Sequence, residues 1–336
     1  MSAPILSVQD LRVTFDIRPQ GAWPWTPSLQ LHAVGGLSFD LEPGQTLGIV
    51  GESGSGKSTV ARAVVGTIPA TGGEVAFEGQ SLSAMSDQDR RRHRKHVQMV
   101  FQDPLAALNP RMTVRDIIAE PLVTHEDLPR KEVQKRVAEV MERVGLLPNQ
   151  INRYPHEFSG GQCQRIGIAR ALIVRPKLLI CDEPVSALDV SVQAQVVNLL
   201  RELQVEMGLS MIFIAHDLSV VKHISDRILV MYLGREMEEG PARDICTTPR
   251  HPYTQALIAS VPIPDPVMEK ARPRVVLEGE LPSPLRPPSG CVFRTRCPKA
   301  QASCAEALPE MVQVGDRQVA CPFQEARDVL TVSAAS

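Results

Sequence analysis

The nine residues Gly51-Glu52-Ser53-Gly54-Ser55-Gly56-Lys57-Ser58-Thr59 restrict this chain more than any other segment. They fit the pattern G-x-x-x-x-G-K-[ST], which carries meaning when an apolar strand precedes it and a helix follows. Both are expected here. Thr46-Leu47-Gly48-Ile49-Val50 is a short apolar run of the kind that makes a buried strand, and Lys57 to Val65 has a helical pattern. Glycines at 51, 54 and 56 let main-chain N–H groups curl around a phosphate, and the helix N-terminus adds partial positive charge there. Lys57 is then placed to reach the β- and γ-phosphates of a nucleotide, and Ser58 to offer its hydroxyl to Mg2+. The alternative is a Gly/Ser-rich turn that merely opens a helix.

A metal-bound triphosphate also needs an acidic site that holds the metal and activates water. Leu178-Leu179-Ile180-Cys181-Asp182-Glu183 supplies one, because an apolar strand ends there in two carboxylates, and open α/β sheets bind ligands at the C-terminal ends of their strands. Asp182 is the expected Mg2+ partner, directly or through water, and Glu183 the expected general base. Further apolar runs at Lys177 to Cys181, Met211 to Ala215 and Arg227 to Tyr232 alternate with helical patterns, the rhythm of a parallel α/β sheet. In one such helix Val192, Val196, Leu199, Leu203 and Met207 recur at spacings of three or four and predict a buried face. Leu6 to Phe15 and Val34 to Leu41 alternate like antiparallel strands, interrupted by Trp23-Pro24-Trp25. The stretch from Asp103 to about Arg165 reads as a helical insertion, with a charged helix from Arg130 to Val144. Eight prolines among the 30 residues from Val261 to Gly290 mark a joint. The chain is therefore divided into a domain over residues 1–260 and a Pro- and Cys-rich extension over 261–336.

Phe158-Ser159-Gly160-Gly161-Gln162 is more selective. Ser159 and Gln162 form an S-x-x-Q capping box that opens a helix running through Ile173, and the two glycines allow close approach by an anion. On the residues alone, this helix start binds phosphate or nothing. In company with the other motifs it resembles the signature of the ATP-binding-cassette (ABC) family, and the resemblance covers roughly residues 5 to 260. It implies the P-loop NTPase fold of a cassette: a RecA-like core, an antiparallel β subdomain and a helical subdomain at about 103–165. Gln102, after the apolar Val97 to Phe101 run, resembles the family's glutamine loop, which contacts metal and water. Ser186-Ala187-Leu188-Asp189 resembles the loop that communicates across the dimer, and His216 the switch histidine that senses the γ-phosphate. The resemblance further implies head-to-tail dimers, with ATP between one subunit's phosphate loop (Gly51, Ser53, Gly54, Ser55, Gly56, Lys57, Ser58, Thr59) and the other's Ser159, Gly160, Gly161 and Gln162. One copy of each motif is present, so a second cassette is required, identical or related. For the adenine-stacking ring Phe15 is the best match, with Trp23 and Trp25 as alternatives and a core role for Phe15 as the competing reading.

Gln102-Asp103-Pro104-Leu105-Ala106-Ala107-Leu108-Asn109-Pro110, Arg153 to Phe158, His251-Pro252-Tyr253-Thr254 and Gly279 to Pro284 are similar to segments of oligopeptide/dipeptide importer ATPases. That resemblance implies a related partner ATPase, two transmembrane permease subunits whose coupling helix meets the Gln102 region, and an external peptide-binding protein. It places the chain peripherally on the cytoplasmic side of the inner membrane. The solute stays open among oligopeptides, dipeptides, glutathione, murein peptides and nickel complexes. A soluble ATP-switched factor for ribosomes or DNA is the competing class, although the second cassette or long coiled coil usual in such factors is not visible.

The rest of the sequence mainly excludes. The formal net charge of −2 gives no global field for nucleic acid, and none is expected as a partner. The basic run Arg90-Arg91-Arg92-His93-Arg94-Lys95-His96 reads as a solvated helix rather than a lipid or nucleic-acid patch. Apolar runs such as Met211 to Ala215 are far below the roughly 20 residues of a membrane span, and no secretory signal is visible, so the chain is expected to stay in the cytosol. Cys291, Cys297, Cys304 and Cys321 cluster as C-x5-C-x6-C-x16-C, and Cys297 and Cys321 each precede a proline, as at a ligand of bacterial iron–sulfur proteins. Four thiolates can hold a cluster or tetrahedral zinc. The importer resemblance favours a [4Fe-4S] cluster, with zinc or reduced thiols as alternatives.

Overall fold

The computed structural model describes residues 3–18, 21, 23, 27–261 and 279–327. From its N-terminus the chain runs through β1 (Leu6–Ile17), β2 (Leu29–Leu41), β3 (Thr46–Val50), α1 (Lys57–Val65), β4 (Gly72–Phe77), β5 (Gln80–Ser81), α2 (Asp87–His96) and β6 (Val97–Val100). There follow α3 (Val114–His125), α4 (Arg130–Arg143), α5 (Gly160–Leu172), β7 (Leu178–Asp182), α6 (Val190–Met207), β8 (Ser210–Ile214), α7 (Leu218–Ile224), β9 (Arg227–Tyr232), β10 (Arg235–Pro241), α8 (Ala242–Thr247), α9 (Pro252–Ala259), β11 (Val312–Val314) and β12 (Arg317–Val319). These elements gather into two compact units, one of Met1–Leu6, Asp40–Thr46 and Ala76–Ala215, the other of Ser7–Phe39, Leu47–Val75 and His216–Ser336.

In the first unit β6, β7 and β8 pair in parallel, with Val97 opposite Leu178 and Leu178 opposite Ser210. Every residue of β7 and β8 is buried, as expected of strands that are apolar but for Asp182 and Ser210 at their ends and covered on both faces. The helices around them are capped by side chains that sequence logic puts there. Ser86, Thr113 and Asp189 accept the backbone N–H of Asp89, Asp116 and Val192 at the starts of α2, α3 and α6. The expected buried stripe of α6 is broader than its spacing suggested. Val197 and Leu200 join Val196, Leu199 and Leu203 in the core, while Val192 and Met207 at its ends are only partly covered. The basic run lies on α2, where its four arginines are exposed, Lys95 and His96 are half-buried with Lys95 paired to Glu126 at 2.9 Å, and His93 is buried edge-on against Phe77, with ring centroids 5.0 Å apart.

In the second unit β3 pairs in parallel with β9, and β10 runs antiparallel to β9. The far end of the chain joins this layer, since β12 pairs antiparallel with β10, Glu238 opposite Val319, and β11 completes a hairpin on β12. These three strands were not expected. Each is short or rich in polar residues and carries little of an isolated strand's alternation. Among the described residues no helix is long and apolar enough to cross a membrane.

Candidate functional site

In the second unit, buried β3 delivers the chain into the phosphate loop, and α1 begins and ends at the residues its pattern predicts. Two glycines are sterically required. Gly51 has φ 154 and a Cβ there would stand 2.1 Å from the Met231 carbonyl oxygen; Gly56 has φ 98 and a Cβ would stand 2.3 Å from that of Ala33. Gly56 stands at the N-cap of α1 and, having no side chain, gives it no side-chain cap hydrogen bond. The buried Lys57 ammonium donates to the carbonyls of Gly51 at 2.8 Å and Glu52 at 3.0 Å. Ser53 and Gly54 are exposed at the tip, Ser55 is buried, and Ser58 and Thr59 are partly buried on the first turn.

Three other features of this unit hold the loop. The Glu52 N–H donates to the Tyr253 hydroxyl at 3.0 Å, the Glu52 carboxylate accepts from Arg296 Nη1 at 3.0 and 2.8 Å, and Gly234 N–H donates to the Ser55 carbonyl at 2.9 Å. None of these was foreseen as part of the site. His251-Pro252-Tyr253-Thr254 stood out only by resemblance, and no sequence signal connects Arg296 with a residue 244 positions earlier. Of the remaining expected residues, Phe15 is partly buried on β1, Trp23 is 67% exposed, and His216 is exposed two residues after β8. Trp25 lies outside the described residues.

The acid pair, glutamine loop and signature fall in the first unit. Asp182 closes β7 and is buried. Glu183 follows with φ 46, a left-handed conformation that costs a non-glycine residue roughly 1–2 kcal/mol. Its N–H donates to the Ile214 carbonyl at 3.0 Å and its carbonyl accepts the Ser186 hydroxyl at 3.1 Å, so both sides of the strained peptide are anchored. Gln102 Nε2 donates to Glu183 Oε2 at 2.9 Å, bringing together two expected residues 81 positions apart. That bond orients the carboxylate without supplying a counter-charge.

Ser159 caps α5 in the expected reciprocal box. Its hydroxyl accepts the Gln162 N–H at 3.4 Å and the Gln162 side-chain oxygen accepts the Ser159 N–H at 3.0 Å. Its two glycines differ. A Cβ on Gly161 would lie 2.4 Å from Val192 Cγ1, so that glycine is demanded by packing against α6, whereas a Cβ on Gly160 meets only Leu188 at an ordinary 3.6 Å. Gly161 therefore has a packing reason inside the fold that Gly160 lacks. Asp189 caps α6, and its carboxyl is held below the usual range by the Ser191 hydroxyl and then the Val192 N–H.

The tail brings its four thiols into mutual electrostatic range. Cys321 interacts with Cys297, Cys291 and Cys304, and the Cys291 N–H donates to the Cys304 carbonyl at 2.8 Å. Burial pushes the Cys291 and Cys297 thiols up, and that of Cys321 to about 11. Among the described residues no three or more His, Cys, Asp or Glu side chains are grouped so as to hold a metal ion, so the arrangement of the thiols lends no support to the expected cluster or to zinc. Cys163, Cys181 and Cys246 are buried singly, as small apolar residues.

A G-x-x-x-x-G-K-S loop between a buried parallel strand and a helix, with a second buried strand ending in Asp-Glu, defines a nucleoside-triphosphate-binding α/β protein of the P-loop class. The family model described as ABC transporter matches residues 34–186, and that described as oligopeptide/dipeptide transporter, C-terminal region, matches residues 237–304. The chain is 60% identical over 318 residues to the oligopeptide transport ATP-binding protein OppF of Escherichia coli, covering 94% of this chain and 95% of that one. It is 57% identical to OppF of Haemophilus influenzae over 94% of this chain and 96% of that one, and 53% identical, with the same coverage, to AppF of Bacillus subtilis. Among solved structures, the cassette MJ0796, a dimer bound to ADP and Pi, is matched at TM-score 0.63 and 26% identity over 71% of this chain and 99% of that one. Clostridium perfringens cbiO1, part of the transporter complex cbiONQ, is matched at TM-score 0.62 and 28% identity, covering 73% of this chain and 91% of that one. The chain belongs to the ATP-binding proteins of ABC transporters, in the oligopeptide/dipeptide branch, and is an ATPase of the cassette type.

Proposed function

We propose that this chain is the ATP-hydrolysing subunit that powers peptide import through a membrane ABC transporter. The observation that carries the reading is the similarity to OppF, which covers 94% of this chain and so takes in both the cassette and the C-terminal region. The phosphate loop holds the triphosphate, with Lys57 reaching its terminal phosphates. Asp182, Ser58 and Gln102 hold Mg2+, whose preference for hard oxygen donors suits the buried Asp182 carboxylate and the Ser58 hydroxyl. The metal, when bound, neutralises charge that develops on the phosphates. Glu183, aimed by Gln102, accepts the proton of the attacking water, and His216 reads the γ-phosphate. Phe15 is the adenine-stacking ring in this reading.

A second, related cassette completes the site with its signature residues, and Ser159, Gly160, Gly161, Gln162 and Asp189 of this chain serve the partner's nucleotide. Two transmembrane permease subunits dock on the cassettes at the cytoplasmic face of the inner membrane, and an external peptide-binding protein delivers the solute. The four tail cysteines are the ligands of a [4Fe-4S] cluster. What supports this reading is the chemistry of four part-buried thiols in one tail, which suits a cluster and equally zinc, the alternative occupant. The test is isolation of the intact assembly and its reconstitution into vesicles with peptide and ATP. ATP-dependent peptide uptake, lost with Lys57→Ala, is the expected result; a complex that hydrolyses ATP but moves none of a panel of peptides would overturn the peptide assignment.

A further inference from the structure

Glu52 places a carboxylate inside a loop whose task is to hold a polyanion, and such a charge opposes triphosphate binding unless it is answered. The answer comes from the far end of the same unit. Arg296 Nη1 reaches both Glu52 oxygens, at 3.0 and 2.8 Å, and its side chain is only 10% exposed against 26% for Glu52, so solvent screens the pair weakly. The guanidinium also lies over the Tyr232 ring at 5.9 Å, with the Tyr232 hydroxyl 3.4 Å from Nη1. Tyr253 accepts the Glu52 N–H, and the fully buried Phe293 packs against both tyrosines with ring centroids 5.3 Å away. Phe293 and Arg296 lie between Cys291 and Cys297, in the cysteine-bearing tail.

We propose that this tail segment braces the ATP site. Arg296 is a positioning residue that sets ATP affinity by neutralising Glu52, and Phe293 seats the two tyrosines that fix the loop's entry. The inference rests on the reading that the Gly51–Thr59 loop binds ATP. It is tested in the full-length chain by equilibrium binding of Mg-ATP and by steady-state ATPase in the assembled complex, with Lys57→Ala as reference. Arg296→Met, which keeps an apolar stem against Tyr232, is expected to weaken ATP binding about tenfold and to raise KM while leaving kcat within about twofold. Glu52→Gln serves as the reference of the cycle, and Glu52→Gln with Arg296→Met is expected to bind within about threefold of Glu52→Gln alone, because the charge that needed neutralising is gone. A purely structural role for Arg296 would leave the double variant as weak as Arg296→Met. That result, or native affinity in Arg296→Met, overturns the brace. Native ATP binding in Lys57→Ala would instead overturn the nucleotide-site reading beneath it.

Discussion

Glu183→Gln isolates the chemical step because it exchanges one oxygen for nitrogen at constant volume. The Gln102 amide donates at 2.9 Å to Glu183 Oε2, and the carbonyl oxygen of a glutamine can accept the same bond, so the side chain keeps its place. The backbone at φ 46 costs Gln as much as Glu, and the anchoring bonds to Ile214 and Ser186 involve only main-chain atoms of residue 183. What disappears is the carboxylate's ability to take a proton. Loss of a positioned general base costs about 10²–10⁴ in rate, or roughly 2.7–5.4 kcal/mol of barrier. Single-turnover hydrolysis in the assembled transporter, read beside equilibrium ATP binding, separates the two effects. ATP affinity is expected to stay within about twofold while turnover falls at least about a hundredfold. Turnover within tenfold of the native rate would remove Glu183 as the base, and loss of ATP binding would show that the residue acts in the ground state.

Three further outcomes follow from the same geometry. Gln102→Ala removes the bond that aims Glu183 and is expected to lower kcat about five- to thirtyfold, less than Glu183→Gln itself, in the same ATPase assay. Gly161→Ala forces a methyl to 2.4 Å from Val192 Cγ1, which should lower unfolding stability by about 1–3 kcal/mol in denaturant melts, and Val192→Ala should recover most of it. Burial pushes the His251 ring down to about 3 from its ordinary 6.5, so the fold holds it neutral while the unfolded chain protonates it first. Its contribution is complete above pH 6.5 and is lost as pH falls towards 3, at about 1.4 kcal/mol per pH unit. His251→Asn keeps an acceptor for the Tyr253 N–H and does not titrate, so melts between pH 7 and 5 should show a shallower decline. His93, pushed down to about 4 chiefly by burial, acts in the same direction and leaves part of the slope.

Much of the site was legible because its parts are local. The limits of β3 and α1, the Ser159 box and the carboxylates closing β7 each follow from a handful of neighbouring residues whose spacing alone satisfies a strand, a cap or a phosphate. Tertiary structure decided what no local pattern encodes. The Gln102–Glu183 bond depends on β6 and β7 lying side by side, the need for Gly161 depends on how closely α6 approaches, and β12 finds β10 across a long stretch of chain. The bond from Arg296 to Glu52 is the extreme case. Spacing along a chain determines which backbone groups a residue can satisfy within a turn or two. Which distant charge it meets depends on strand pairing and on the exclusion of water around the pair, and those exist only once the whole layer has formed.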